Sequence, residues 1–173
     1  MASSSRVILV TSDNKRFSIE HVIAEKSVVI RNILCEMNGD LEDDEYNNPE
    51  DDDSQEIPLG EVNAQTLTAV LRWCDHHKNS RLPEYKDNEE IIGVSLDKWD
   101  KQFLESLDQK ILYDIVLAAD YLNIKPLLIS GCKVLALQMK SRTPDQIRQL
   151  FNIKRDLTPK DEYQIQKENE WAF

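Results

Sequence analysis

Apolar and polar residues alternate at the start of the chain. Apolar and β-branched residues fill positions 6–11 and 17–19, and they are separated by the turn-forming residues Ser12, Asp13, Asn14 and Lys15. Alternation on both sides of a short polar turn is typical of two antiparallel strands. The sequence therefore predicts an N-terminal β-hairpin. It also predicts that Ile57, Pro58 and Leu59 form a short edge strand further along the chain.

Four later stretches carry apolar residues at the spacing of an α-helix, and Ser27 stands where it can cap the first of them. The first two stretches have their apolar positions at Val28, Val29, Ile33 and Leu34, and at Leu67, Val70, Leu71 and Cys74. The third has them at Ile111, Leu112, Ile115, Val116, Ala119 and Leu122. The fourth has them at Ile124, Leu127, Leu128, Cys132, Leu135 and Met139. A small sheet followed by a helical C-terminal half is therefore predicted.

Two short helices near the C-terminus have clear starting signals. In each, Thr stands at the N-cap, Pro follows at the first helical position, and an acceptor side chain comes three residues after the Thr. The two sets are Thr143, Pro144 and Gln146, and Thr158, Pro159 and Asp161. Beyond Pro159 the helix offers little apolar surface except Tyr163, Ile165 and the near-terminal Trp171. A helix this polar indicates support from a partner, with Trp171 as a contact residue.

Acidic residues are concentrated in one segment. Ten of the seventeen residues from 40 to 56 are acidic and none is basic, so this segment accounts for -10 of the formal net charge of -11. We expect it to be a mobile loop, and we expect a second polar surface loop over residues 78–95. The negative charge argues against direct nucleic-acid binding. Without a long apolar run, neither a membrane span nor a signal peptide is expected.

Little in the sequence favours catalysis, a metal or a cofactor. Four glycines are too few, and too scattered, for a phosphate-binding loop. Cys74, His76 and His77 have metal-binding side chains but do not share one helix face and lack a fourth ligand, so a satisfied helix end is the favoured interpretation over a zinc site. The odd number of cysteines, Cys35, Cys74 and Cys132, suits packed thiols in a reducing compartment. We therefore expect a protein that is not an enzyme.

Several apolar positions in the helical half exceed the needs of one small core and point to binding. The simpler alternative is that Leu128, Leu135, Phe151 and Ile153 all lie in the interior, because apolar stripes at helical spacing are most often core.

Two long segments resemble a known family. The run TPDQIRQLFNIKRDLTPKDEYQIQKENEWAF at 143–173 and the run LYDIVLAADYLNIKPLL at 112–128 resemble the C-terminal part of the Skp-family adaptors of SCF ubiquitin ligases. The hairpin turn SDNKRF, the stretch AEKSVVIRNIL and the stretch VLRWCDHHK extend the resemblance over nearly the whole chain. The resemblance implies an α+β fold: a BTB/POZ-like, cullin-binding domain over 1–123 with a small N-terminal sheet, and an F-box-binding helical region over 124–173.

The resemblance also implies the site residues. Asp120 and Tyr121 match the pair that contacts the cullin. The residues that match the family's F-box contacts are Leu112, Tyr113, Leu128, Cys132, Leu135, Met139, Arg148, Phe151, Ile153 and Trp171. The chain departs from the family at Asp120, where Asn is usual, at Leu157, where Phe is usual, at Lys160–Tyr163, where a Glu-rich stretch is usual, and by one extra residue at Glu105–Leu107.

The function implied is a non-catalytic adaptor in the cytoplasm and nucleus that ties F-box substrate receptors to a cullin and so promotes ubiquitination. A RING subunit and a ubiquitin-conjugating enzyme would be indirect partners. The alternative is a structural adaptor for F-box-like proteins outside ligases, for example at kinetochores.

Overall fold

The computed structural model describes residues 6–39, 56–80, 95–140, 142–154 and 157–172. Within these ranges the chain forms three strands and eight α-helices. The strands are β1 (Arg6–Thr11), β2 (Arg16–Glu20) and β3 (Glu56–Leu59). The helices are α1 (His21–Ala24), α2 (Val28–Gly39), α3 (Ala64–His76), α4 (Lys98–Glu105), α5 (Gln109–Tyr121), α6 (Lys125–Met139), α7 (Pro144–Leu150) and α8 (Pro159–Glu168), and Glu170–Ala172 adds a 3-10 turn.

The three strands form one mixed sheet in the order β2-β1-β3. β1 pairs antiparallel with β2, with Leu9 opposite Phe17, and parallel with β3, with Leu9 opposite Ile57. The predicted hairpin is therefore confirmed, and so is the edge position of β3. Pro58 is exposed on that edge strand, where its missing N–H costs no ladder hydrogen bond.

The hairpin turn is tied to the start of α3. Asn14 takes a positive φ of 57°, which a short polar side chain tolerates. Asp13 Oδ1 accepts hydrogen bonds from the Thr11 hydroxyl at 2.7 Å and from the backbone N–H of Ala64 at 2.9 Å. Because these bonds favour the ionised carboxylate, they lower the pKa of Asp13. A residue predicted only as part of a turn therefore also fixes the first turn of α3.

The helix starts follow the sequence signals. The Ser27 hydroxyl accepts a hydrogen bond from the backbone N–H of Ile30, so Ser27 caps α2 as predicted. Thr143 and Thr158 each stand at an N-cap with Pro at the next position, and Gln146 and Asp161 complete a capping box in α7 and α8. These boundaries are confirmed because both members of each box bond to the backbone of the other.

Helix α4 was not predicted, and it brings a buried carboxylate into the core. Asp97 caps its start by accepting from the backbone N–H of Trp99 at 2.9 Å. The buried Asp100 carboxylate accepts from Trp73 Nε1 at 2.9 Å and from His77 Nε2 at 2.8 Å. The hydroxyl of Ser130 donates to its other oxygen at 3.2 Å. Asp100 thus joins α3, α4 and α6 through hydrogen bonds that satisfy an otherwise costly buried charge.

The chain divides into two compact units, Met1–Ala136 and Leu137–Phe173. In the first unit, α3 packs against α5, and Leu9, Trp73 and Ile115 are among its fully buried core residues. In the second unit α7 and α8 bury no residue completely.

The predicted domain boundary at 123/124 stays a prediction. The predicted acidic loop lies outside the described residues except for Glu56, and so does the polar loop except for residues 78–80 and 95. No helix within the described ranges has the length and apolarity that a membrane span requires.

Candidate partner-binding surfaces

Helix α5 has one buried face and one exposed apolar face. Leu112, Ile115, Ala118 and Ala119 are buried on the inner side. On the other side Tyr113 is 47% exposed, Leu117 53% and Tyr121 36%. These three residues are four positions apart, so they share one side of the helix, and Asp120 lies on that side too. We call Tyr113, Leu117, Asp120 and Tyr121 the α5 face.

The α5 face unites residues that the sequence assigned to two different partners. Asp120 and Tyr121 were predicted to contact a cullin and Tyr113 an F-box receptor, and the structure places all three on the same side of one helix. Leu117 was missed. A signal was available, because Leu117 is the large apolar residue of this helix that falls outside the buried i, i+3, i+4, i+7 series.

Two of the predicted F-box contacts are in the core. Leu112 is 0% exposed and Leu135 is 8% exposed. Packing within the first unit covers both side chains, and their contact with a receptor stays a prediction. Leu112 lies on the buried face of α5, about 100° around the helix from Tyr113, so it supports the exposed residues from inside. The simpler interpretation, in which an apolar residue at helical spacing is core, is the right one for Leu135.

The first part of α6 offers a smaller accessible surface within the first unit. Leu128 is half-buried and Cys132, four residues later, is exposed. α6 lies very close to α5 here: a Cβ added to Gly131 would stand 2.6 Å from Val116 Cγ2. Glycine is therefore required at this position by the space between the helices.

In the second unit, Arg148 links two helices. Its guanidinium contacts the carboxylate of Asp145 on α7 at 2.9 Å and that of Glu162 on α8 at 3.6 Å. α7 ends in a reversal in which Asn152 has a φ of 51° and the N–H of Ile153 donates to the carbonyl oxygen of Arg148 at 2.8 Å. This reversal leaves Phe151 half-buried and Ile153 exposed.

Trp171 is the most accessible large hydrophobic side chain described, with 84% of its surface exposed. It follows α8 in the 3-10 turn and belongs to the second unit. Met139, the last residue of α6, is half-buried in the same unit. An indole left in water carries a large unburied apolar surface, which is the property expected of a partner-contacting side chain.

The cysteines and histidines have local partners. Burial raises the pKa of the Cys74 thiol to about 12, whereas Cys35 and Cys132 are exposed, so the prediction of packed thiols is correct for Cys74 alone. His77 bonds to Asp100, and His76 stacks on Trp99 with ring centroids 3.6 Å apart. Among the described residues, no three His, Cys, Asp or Glu side chains are grouped so that they could hold a metal ion.

Comparisons with known proteins identify the family. A model of the Skp1 family, tetramerisation domain, matches residues 5–79, and a model of the Skp1 family, dimerisation domain, matches residues 125–172. The chain is 41% identical over 171 residues to Suppressor of kinetochore protein 1 of Schizosaccharomyces pombe, a match that covers 97% of this chain and 98% of that protein.

Two other relatives carry the name E3 ubiquitin ligase complex SCF subunit sconC. The chain is 39% identical over 170 residues to the one from Talaromyces stipitatus, with 98% of each chain covered. It is 37% identical over 167 residues to the one from Emericella nidulans, with 96% of this chain and 95% of that protein covered. The chain therefore belongs to the Skp1 family, and the predicted α+β fold of BTB/POZ type is confirmed.

Proposed function

We propose that this chain is a non-catalytic adaptor of SCF-type ubiquitin ligases that ties an F-box substrate receptor to a cullin scaffold. The observation that carries the proposal is the α5 face: two aromatic side chains and a leucine are exposed on one side of a helix. Its opposite side is fully packed, so the fold does not need these residues for its core. Similarity to proteins named as SCF subunits over almost the full chain supplies the class of partner.

The cullin is assigned to the end of the α5 face, where Asp120 and Tyr121 lie. Tyr121 combines an accessible ring with a hydroxyl, which suits the centre of an interface. Leu117 extends the same surface and is added to the predicted pair.

The receptor is assigned to two sets of accessible residues, one in each unit. In the first unit they are Tyr113, Leu128 and Cys132. In the second unit they are Met139, Arg148, Phe151, Ile153 and Trp171. The buried Leu112 and Leu135 support this surface from inside the first unit. Because α7 and α8 bury no side chain completely, we expect an F-box to supply much of the apolar cover of the second unit.

An adaptor of this kind accelerates ubiquitination by proximity. A substrate held by the receptor and a ubiquitin-conjugating enzyme held through a RING subunit on the cullin become parts of one complex, so their encounter is effectively intramolecular. No group of the adaptor itself transfers a proton or forms a bond. The chain would act in the cytoplasm and the nucleus, without direct contact with nucleic acid or membrane.

Pairwise binding tests the proposal. The full chain is mixed with an F-box segment and, separately, with a cullin N-terminal domain, and each dissociation constant is measured for wild type, Trp171→Ala and Tyr121→Lys. We expect Trp171→Ala to weaken F-box binding at least about tenfold and Tyr121→Lys to weaken cullin binding by a similar factor, because truncating a central contact residue typically costs about 2 kcal/mol or more.

Matched variants separate contact from folding. Trp171→Phe and Tyr121→Phe keep the ring and should retain most of the binding, and Val22→Lys places the same charge on another exposed apolar residue of the first unit. F-box binding without cullin binding by the wild type would instead favour a structural adaptor outside ligases. Binding to neither protein would exclude both roles.

A further inference from the structure

The α5 face ends in a negative charge. Asp120 is exposed in the last turn of α5, on the same side as Leu117 and beside Tyr121. A carboxylate at this point is unfavourable for the helix, because the C-terminal end of a helix carries a partial negative charge. The last turn of α5 contains no basic residue that would offset it.

Nothing within the described parts of the chain neutralises this carboxylate. No side chain there donates a hydrogen bond to Asp120 or forms an ion pair with it. The charge of Asp120 also acts on α6. The pKa of the Cys132 thiol is raised there, mainly by partial burial and in second place by the negative charge of Asp120. The charge is therefore exposed to solvent at the rim of an apolar surface, and it lowers the stability of its own helix.

We propose that Asp120 selects a cullin that presents a basic side chain, Lys or Arg, to the end of the α5 face. A carboxylate can only accept hydrogen bonds, so its complement is a donor, and a cationic donor gives the strongest such bond. Leu117 and Tyr121 supply the apolar part of the contact, and Asp120 sets which cullin surface fits beside it. The inference rests on the proposed function, since it names the chemistry of the partner at the same surface.

The test measures cullin affinity and stability in the same variants. The full chain, saturated with an F-box segment, is titrated with a cullin N-terminal domain at about 50 mM and about 500 mM NaCl, which shortens the screening length severalfold. Asp120→Asn removes the charge at constant size, and Asp120→Lys reverses it. Asp108→Asn is the matched control, because it removes one negative charge at the exposed N-cap of the same helix, where no side-chain capping bond is formed.

At low salt we expect Asp120→Asn to bind the cullin domain about two- to fivefold more weakly than wild type, the range of a rim ion pair, and Asp120→Lys more weakly still. At high salt the difference should shrink, and Asp108→Asn should bind as wild type does. The free Asp120→Asn chain should nevertheless unfold at a higher urea concentration than wild type, because an unfavourable charge has been removed from the end of α5.

If wild type bound the cullin domain at low salt and Asp120→Asn bound it equally tightly, this inference would be overturned and the proposed function would stand. No cullin binding by the wild type would overturn both. Weaker binding of Asp120→Asn that does not depend on salt would also overturn it, because the carboxylate would then act through local structure.

Discussion

The hydroxyl of Ser27 donates a hydrogen bond of 2.6 Å to the backbone carbonyl oxygen of Leu122, although 95 positions separate the two residues. The same hydroxyl accepts from the N–H of Ile30 and so caps α2. One buried side chain thus joins the start of α2 to the end of α5, directly after Asp120 and Tyr121. The α5 face is therefore fixed at its C-terminal end by a contact to the N-terminal half of the chain.

Replacing this hydroxyl should destabilise the first unit. Ser27→Ala removes a helix cap and leaves a buried carbonyl oxygen without its donor, and together these losses are expected to cost about 2 to 3 kcal/mol. Urea denaturation of the full chain measures the loss. Ser18→Ala is the control, because Ser18 is exposed on β2 and should change stability by less than about 0.5 kcal/mol. Equal losses in the two variants would show that the bond to Leu122 contributes nothing.

The buried Asp100 carboxylate should be more sensitive still. In Asp100→Asn a neutral amide replaces the carboxylate that accepts from Trp73, His77 and Ser130, so the bonds lose their charge assistance and an N–H takes the place of one accepting oxygen. We expect a loss of about 3 kcal/mol in the free energy of unfolding. Asp75→Asn breaks an exposed ion pair between the last turn of α3 and Lys78 just beyond it, and should cost less than about 1 kcal/mol. If Asp100→Asn lost no more free energy of unfolding than Asp75→Asn, the role given to Asp100 would be contradicted.

The Asp13 turn predicts a pH dependence. The hydrogen bonds from Thr11 and Ala64 lower the pKa of Asp13 below its ordinary value of 3.8. A carboxyl whose pKa is lower in the folded chain stabilises the fold above its unfolded pKa, and that contribution disappears as the pH falls through the folded pKa. Thermal midpoints of wild type and Asp13→Asn should therefore differ at pH 7, and the difference should shrink as the pH falls below 3.8 and through the lowered pKa of Asp13. A difference that stays constant over this range would show that the charge of Asp13 has no part in stability.

The close approach of α6 to α5 predicts a compensating pair of substitutions. Gly131→Ala places a methyl group 2.6 Å from Val116 Cγ2, and the resulting overpacking should cost about 1 to 3 kcal/mol. Val116→Ala removes the opposing methyl groups, so the double variant should lose less than the sum of the single losses. A double-mutant cycle of urea denaturation gives the coupling. Strict additivity would mean that α6 moves away instead of clashing.

The local structure was predictable because its signals are local. Ser27, Thr143 and Thr158 cap helices through residues within three positions, and α5 and α6 carry long apolar series. Helix α4 was not predicted, although Asp97 caps it and Trp99, Phe103 and Leu104 supply apolar positions. With eight residues, it is too short for periodicity to stand out from the polar sequence before it.

Contacts between distant residues could not be predicted from one sequence. The pairing of Ser27 with Leu122, or of Asp100 with Trp73, has no counterpart in local spacing. The sequence also does not show which residues of a helix are buried where a predicted interface and a core share that helix. Leu112 and Tyr113 are neighbours that were both predicted to contact an F-box, yet the helical turn puts the first in the core and the second in solvent.

Formation of a ternary complex tests the central claim most directly. An F-box segment and a cullin N-terminal domain are mixed with and without the full chain, and the mass of each species is measured by light scattering during gel filtration. The account predicts that all three proteins elute together as a 1:1:1 complex only when this chain is present, and that Tyr121→Lys leaves the F-box complex intact without the cullin. If this chain bound each partner but never both together, or if the two partners associated equally well without it, the account of the chain as an adaptor would be wrong.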